Sequence, residues 1–344
     1  MTETQQRKPS GQTSFRGGIY NGSRACGLQR ARPARRPRSA SFERLHLATG
    51  TARLRLLRFE RIRGLSEFAV TVQGMGSRRT NPKKNKAARR RRPAGTPGAR
   101  RAQLEMDDIF QLMSVAPPLA LPLVALASVW LWNMAEDREA AAHCVDGCLT
   151  LHYALAEYGI ASRVEAVGIR LEGLGSHHAT YGQNPRYNAD GTFNGHTVLV
   201  ATGAGRLIDP TIGQFDEVPS SRQGMLPVQA PLPVSGGLGE RPFGIARHGY
   251  VVVYEPLPQE LRQAWRSPVI STRTADYRKA GANLAANVVA ILLIPEMLAR
   301  ARQAPYPRLR TLLAALEGTK LVADHRGFRF ADPAGKEIWL ADVP

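Results

Sequence analysis

Cys144 and Cys148 stand four residues apart in "HCVDGCLTLHYALAEYGI", residues 143–160; His196 opens the apolar run "HTVLVA" and Asp209 stands near the end of the run "RLIDP". A free thiol, with a pKa of about 8.5, is mostly protonated at neutral pH and attacks poorly until an imidazole takes its proton. The imidazole needs a carboxylate to hold its tautomer. A thiol, His196 and Asp209 together therefore suit acyl transfer at an amide, with the histidine acting as general base and then as general acid.

For that chemistry the imidazole and the carboxylate must meet. "TGAG", residues 202–205, separates the two apolar runs, and a glycine-bearing break of this kind predicts a β-hairpin. A loop of even length puts His196 and Asp209 on one face, directly opposite or diagonal, with Cβ atoms about 4.5–8 Å apart. An odd loop without a bulge would send them to opposite faces.

The two cysteines have other readings. On a continuous helix Cys144, Cys148, Leu151, Leu155 and Tyr158 share one face, so both thiols point toward a core, the commonest fate of a free cysteine. A bridge between them is disfavoured, because side chains one turn apart run parallel and a disulfide needs Cβ atoms about 3.8 Å apart and converging. Zinc would have to add His152, or His177 and His178 from the following loop. Cys-x3-Cys on a helix lacks the knuckle spacing, however, and no second paired cluster follows. The expectation is no metal and no cofactor.

A helix that carries a cysteine and ends fifteen residues later in Gly159-Ile160, then a strand, then a strand opening on His196 in "NGHTVLV", then Asp209-Pro210-Thr211, resembles the transglutaminase-like domain of the papain-like cysteine protease group. The resemblance spans about residues 140–215. Cys148 lies only eleven residues before Gly159, so the resemblance selects Cys144 as nucleophile, with His196 as base and Asp209 as its orienting carboxylate, and leaves Cys148 as a core residue. It implies an α+β fold in which the catalytic helix packs on an antiparallel sheet, and a peptide or amide substrate. Bacterial members include peptidases, amide-forming acyltransferases and the leader peptidases of lasso-peptide precursors, so either water or an amine is the acyl acceptor. The alternative is a binding or scaffold protein that keeps the fold without the chemistry.

Periodicity runs the helix from Glu136 to Tyr158, with Gly159 as its C-cap. A start near Glu136 would deny the thiolate the N–H groups of a helix N-terminus. "ASRVEAVGIRL" alternates as a strand and "EGLGSHHATYGQNPRYNADGTFNG" reads as a long polar loop; Gln214 in "IGQFDE" is a pocket candidate without a role. Beyond Pro219 a Pro/Gly-rich stretch leads to the buried strand "HGYVVVYEP". Residues 275–303 follow as an apolar helix kinked at Pro295, then an amphipathic helix in "YPRLRTLLAALEG" and C-terminal strands with turns at Arg326-Gly327 and Asp332-Pro333.

The formal charge of +19 over 344 residues is unevenly placed: residues 1–105 hold 26 basic and 5 acidic residues, leaving 21 and 23 in the rest. The tail is too charged and too poor in apolar residues to collapse. It reads as a disordered, solvated tail, or as sequence upstream of a start at Met106, and its Lys/Arg density offers sequence-blind binding to nucleic acid. The body divides into a core over 106–240, with an apolar helix leading it, and a C-terminal part over 241–344 that completes it or is appended to it. Residues 114–134 are apolar for about the length of a membrane span, but Pro117, Pro118 and Pro122 shorten the helical run to about a dozen residues, which suits a core helix rather than a membrane one. With three cysteines, Cys26 being the third, a reducing compartment, the cytoplasm, is expected.

Overall fold

The computed structural model describes residues 106–135, 143–173, 178–189, 191–215, 217–218, 226–247 and 249–344. The basic tail with Cys26, and His177, lie outside the described residues.

Helix α1 (Met106–Val115) carries Asp107 and Asp108 in its first turn, where carboxylates complement the helix dipole, and buries Ile109 and Met113. The chain breaks at Pro117 and Pro118. Helix α2 (Leu121–Ala135) restarts with Pro122 in its first turn, where a missing N–H costs nothing. It is buried almost all round, as an apolar core helix must be. No single helix among the described residues is long and apolar enough to cross a membrane.

Helix α3 (Cys144–Glu157) starts later than its periodicity implies. His143 stands outside it at φ −109°, ψ 18°, and the first helical bond runs from the Gly147 N–H to the His143 carbonyl at 2.8 Å. Asp146, in the first turn, pairs with the His143 ring at 3.1 Å and sits favourably at the positive end of the dipole. The helix that carries the thiols thus starts at Cys144 and not near Glu136; residues 136–142, over which it was expected to run, lie outside the described residues. At the far end Gly159 takes φ 71°, and the Ile160 and Gly159 N–H groups bond Leu155 O and Ala156 O at 2.9 and 3.0 Å, closing the helix by a Schellman motif.

Among the described residues nine strands follow: β1 (Arg163–Gly173), β2 (His178–Tyr181), β3 (Arg186–Tyr187), β4 (Phe193–Asn194), β5 (His196–Ala201), β6 (Arg206–Asp209), β7 (Val228–Pro231), β8 (Phe243–Arg247) and β9 (Tyr250–Pro256). Seven of them form one antiparallel sheet, ordered β7-β6-β5-β1-β9-β8 with β2 also on β1. One edge of β1 is shared: β5 pairs with Arg163–Val167, and β2 takes over from Ile169. The long polar loop thus contains β2 and the β3–β4 hairpin, and the Pro/Gly-rich stretch contains the edge strands β7 and β8. Edge strands keep one side wet, so β8 alternates between exposed and half-buried residues and has no apolar run to betray it.

Side chains of the sheet divide by parity. Val164, Ala166, Leu199, Ala201 and Ile208 join the helices in one core, while Val167, Ile169, Val198, Val200 and Leu207 form a second core on the other face. Helices α4 (Pro268–Thr272), α5 (Thr274–Leu292), α6 (Pro295–Ala301) and α7 (Pro307–Leu316) follow, then β10 (Lys320–Asp324), β11 (Gly327–Ala331) and β12 (Glu337–Ile338) in a small antiparallel sheet. Pro295 does more than kink its helix: it opens a new one, bent by 109° from α5. The chain crosses back onto α3 at Gly281, where an added Cβ would lie 2.5 Å from Tyr153 Cβ and 2.9 Å from Thr150 O. The Tyr158 hydroxyl donates to Ala285 O at 2.8 Å across the same contact. The described fold is α+β.

Candidate active site

The β5–β6 hairpin has the even loop that the pair requires. Ala201 pairs with Arg206, Val200 with Leu207 and Leu199 with Ile208, so Asp209 lies diagonal to His196 on one face. The His196 Nε2–H donates to Asp209 Oδ2 at 2.9 Å, and both side chains are buried. The other carboxylate oxygen, Oδ1, accepts the Thr211 N–H at 3.0 Å. Turn formation before Thr211 and orientation of the ring therefore use different oxygens of Asp209.

A third donor comes from the far side of the sheet. The Tyr254 hydroxyl on β9 donates to Asp209 Oδ2 at 3.0 Å. β9 stands three strands from β6 in the sheet order, a separation of about 14 Å if the sheet were flat. The bond exists because the sheet curls around the second core. Sequence reasoning had no route to Tyr254; its alternation with Val252 and Tyr250 fixes only which residues share a face.

Gln214 closes the other side of the ring. Its Nε2 lies 2.8 Å from His196 Nδ1, presented by a 3-10 turn over Ile212–Gln214. The amide donates to Nδ1 when the ring is neutral and, flipped, accepts from it when the ring is charged. Phe215 packs on the imidazole with ring centroids 5.3 Å apart, and Tyr181 on Phe215 at 4.4 Å.

The thiol arrives from the opposite layer. Helix α3 covers the first core, whereas His196 and Asp209 share the parity of the second; the two sets meet where β5 begins. Cys144 Sγ lies 3.8 Å from the carbonyl of Gly195, the residue before His196. Burial alone would strip the proton from His196, but the Asp209 carboxylate, by charge and hydrogen bond, and then the Cys144 sulfur outweigh it and push the imidazole pKa up to about 10. Cys148, one turn further on, donates to Thr197 O at 3.4 Å; burial, with Cys144 beside it, pushes its thiol well up and out of reach of ionisation. Both cysteines are free.

The first turn of α3 has its own supports. The N–H groups of Cys144, Val145 and Asp146 precede the first helical bond and have no intrahelical acceptor. Tyr277 on α5 donates to Asp146 Oδ1, and Arg273 lies 3.6 Å from the same oxygen. Burial opposes ionisation of Asp146, yet the hydrogen bonds from His143 and Tyr277 and the charge of Arg273 overcome it, so its pKa falls below the usual carboxylate value. The zinc candidates are placed elsewhere: His152 pairs with Ser162 Oγ at 2.9 Å and His178 is exposed on β2. Among the described residues no three His, Cys, Asp or Glu side chains gather as a metal site.

Compared with family models, curated proteins and solved structures, the chain matches none.

Proposed function

We propose that the protein is a cysteine-dependent acyl-transfer enzyme with a transglutaminase-like, papain-like core, acting on a peptide or amide bond through Cys144, His196 and Asp209. One observation carries the reading: an imidazole bound to a buried carboxylate through one nitrogen, with a thiol at the first position of a helix lying 3.8 Å from the carbonyl of the residue before that imidazole.

The Cys144–His196 pair carries one transferable proton: it rests on His196 Nδ1, which the Gln214 amide then meets through its oxygen, while the Cys144 thiolate attacks the amide carbon and the carbonyl electron pair moves onto oxygen. N–H groups at the start of α3 are the donors available to that oxyanion. As it collapses, the C–N bond breaks, His196 returns the proton to the departing amine, and a thioester remains on Cys144. Water or a second amine, giving its proton to His196, then attacks the thioester and expels the thiolate. Water makes the protein a peptidase or amidase, and an amine makes it a transferase.

The test is differential labelling by iodoacetamide. Cys144→Ala is expected to abolish both activity and a fast-labelling thiol, whereas Cys148→Ala leaves the fast label intact. Slow and equal labelling at both positions would overturn the proposal and leave the fold as a binding scaffold.

A further inference from the structure

On the side of α3 that carries Leu149 and Tyr153, a cleft of about 260 Å³ opens between that helix, Trp265 and the α4–α5 junction. Trp265 and Tyr277, both buried, give it aromatic lining, Leu149 and Ile270 add apolar surface, and Tyr153 and the exposed Arg266 are among its other lining residues. This volume lies below the roughly 300–1,000 Å³ of sites for drug-sized molecules, so it suits one side chain rather than a whole cofactor.

Its charge has one sign. The Arg266 guanidinium stacks over Trp265 at 5.4 Å and that of Arg278 over Tyr153 at 5.6 Å, and neither has an ion-pair partner among the described residues. Stacking holds both cations in place without neutralising them. The carboxylate close by, Asp146, is already engaged by His143, Tyr277 and Arg273. Asp276 is exposed on α5 and turned about 100–160° around that helix from Tyr277 and Thr274, which line the cleft.

The cleft also connects to the nucleophile. Tyr187 donates to the Trp265 carbonyl and packs on Phe193, with ring centroids 5.3 Å apart, in the hairpin that leads into Gly195, whose carbonyl lies 3.8 Å from the Cys144 sulfur. Leu149 is five residues beyond Cys144, about 7.5 Å along the α3 axis and around its side. A peptide reaching from the cleft to Cys144 passes about 140° around α3 as well as along it, about 15 Å in all, which takes four or five extended residues.

We propose that this cleft recognises a peptide at a position where a large apolar or aromatic side chain stands next to a carboxylate, the side chain resting on Trp265 and Tyr277 and the carboxylate held by Arg266. Naming that peptide a substrate rests on the acyl-transfer reading; the binding does not.

Calorimetric titration of the full chain tests it, with acetyl-Gly-Phe-Glu-Gly-amide as probe and counterparts in which Phe-Glu is replaced by Phe-Gln, Phe-Lys or Ala-Glu. The Phe-Glu peptide is expected to bind at least ~tenfold more tightly than the other three, as a charge-assisted contact and a buried ring should give. Arg266→Ala, a change at an exposed residue, removes the preference for Glu over Gln, and Cys144→Ala preserves it. Equal binding of all four peptides, or a preference that survives Arg266→Ala, overturns the proposal. So does preferential binding of a single-stranded oligonucleotide through the same arginine. Selective peptide binding without a fast-labelling Cys144 would sustain the recognition site while removing the acyl-transfer reading.

Discussion

Tyr254 has the least conspicuous place in the sequence of any residue touching Asp209, and its hydroxyl is one of three donors to that carboxylate. Tyr254→Phe keeps the ring and removes only this bond. The expected loss is about 1–2 kcal/mol of stability, read from the urea midpoint, with a Cys144 labelling rate lowered about tenfold because the Asp209–His196 pair is less firmly held. Unchanged labelling would mean that Asp209 needs no support from β9. His196 and Asp209 could be paired by residue type and spacing, because a hairpin of even loop length has a fixed parity, whereas Cys144 was chosen over Cys148 only by the family resemblance. Tyr254 could not be found in either way, since its contact depends on how far the sheet curls. Gln214 could be named from the sequence only as a pocket candidate without a role; its partner, Nδ1 of His196, follows from the 3-10 turn that aims it.

At the scale of elements, the position of α3 governs the chemistry, and α5 governs the position of α3. Gly281 is where they come closest. Alanine there gains about 1 kcal/mol of helix propensity but places a methyl group 2.5 Å from Tyr153 Cβ and 2.9 Å from Thr150 O. Two of the atoms it meets belong to the α3 backbone and cannot swing aside, so overpacking of about 1–3 kcal/mol wins. Gly281→Ala is therefore expected to lower the melting temperature by several degrees and to slow Cys144 labelling; a rise in melting temperature would contradict this packing. The C-terminal end of α3 was legible, because Gly159 alone among nearby residues takes a positive φ without strain. Its beginning was not. Apolar spacing upstream of His143 continues the helical pattern, while the observed start is favoured by Asp146 and by contacts with Arg273 and Tyr277, more than 120 residues away.

For the whole molecule, the buried imidazole makes stability depend on pH in a stated direction. The folded state raises the pKa of His196 from the ordinary 6.5 to about 10, so it binds this proton more tightly than the unfolded chain does. The contribution is complete below pH 6.5 and is lost as pH climbs toward 10. Melting temperature is expected to fall across that window in the wild type by roughly 5 °C or more and to fall less in His196→Gln. Parallel curves for the two proteins would show that the imidazole is not the group responsible. The uneven charge supplies a separate expectation: with 26 basic residues against 5 acidic ones in 1–105, deleting that segment should abolish salt-sensitive retention on heparin. Retention unchanged by the deletion would place the basic surface in the body.

Local rules were enough to establish some of this from the chain alone. Period-two and period-3.6 patterning announced the α3 helix, the β5–β6 hairpin and the buried strand β9, because each depends on neighbours a few residues apart, and a count of charges separated tail from body. Tertiary structure decided what those elements do together. It set a thiol from one layer against the carbonyl that precedes an imidazole of the other parity at the start of β5, placed Cys144 at a helix start, and assembled a cleft beside α3 and the α4–α5 junction. Such contacts join groups dozens to more than a hundred residues apart, and their distances are set by sheet curl and helix packing, which no short window of sequence contains.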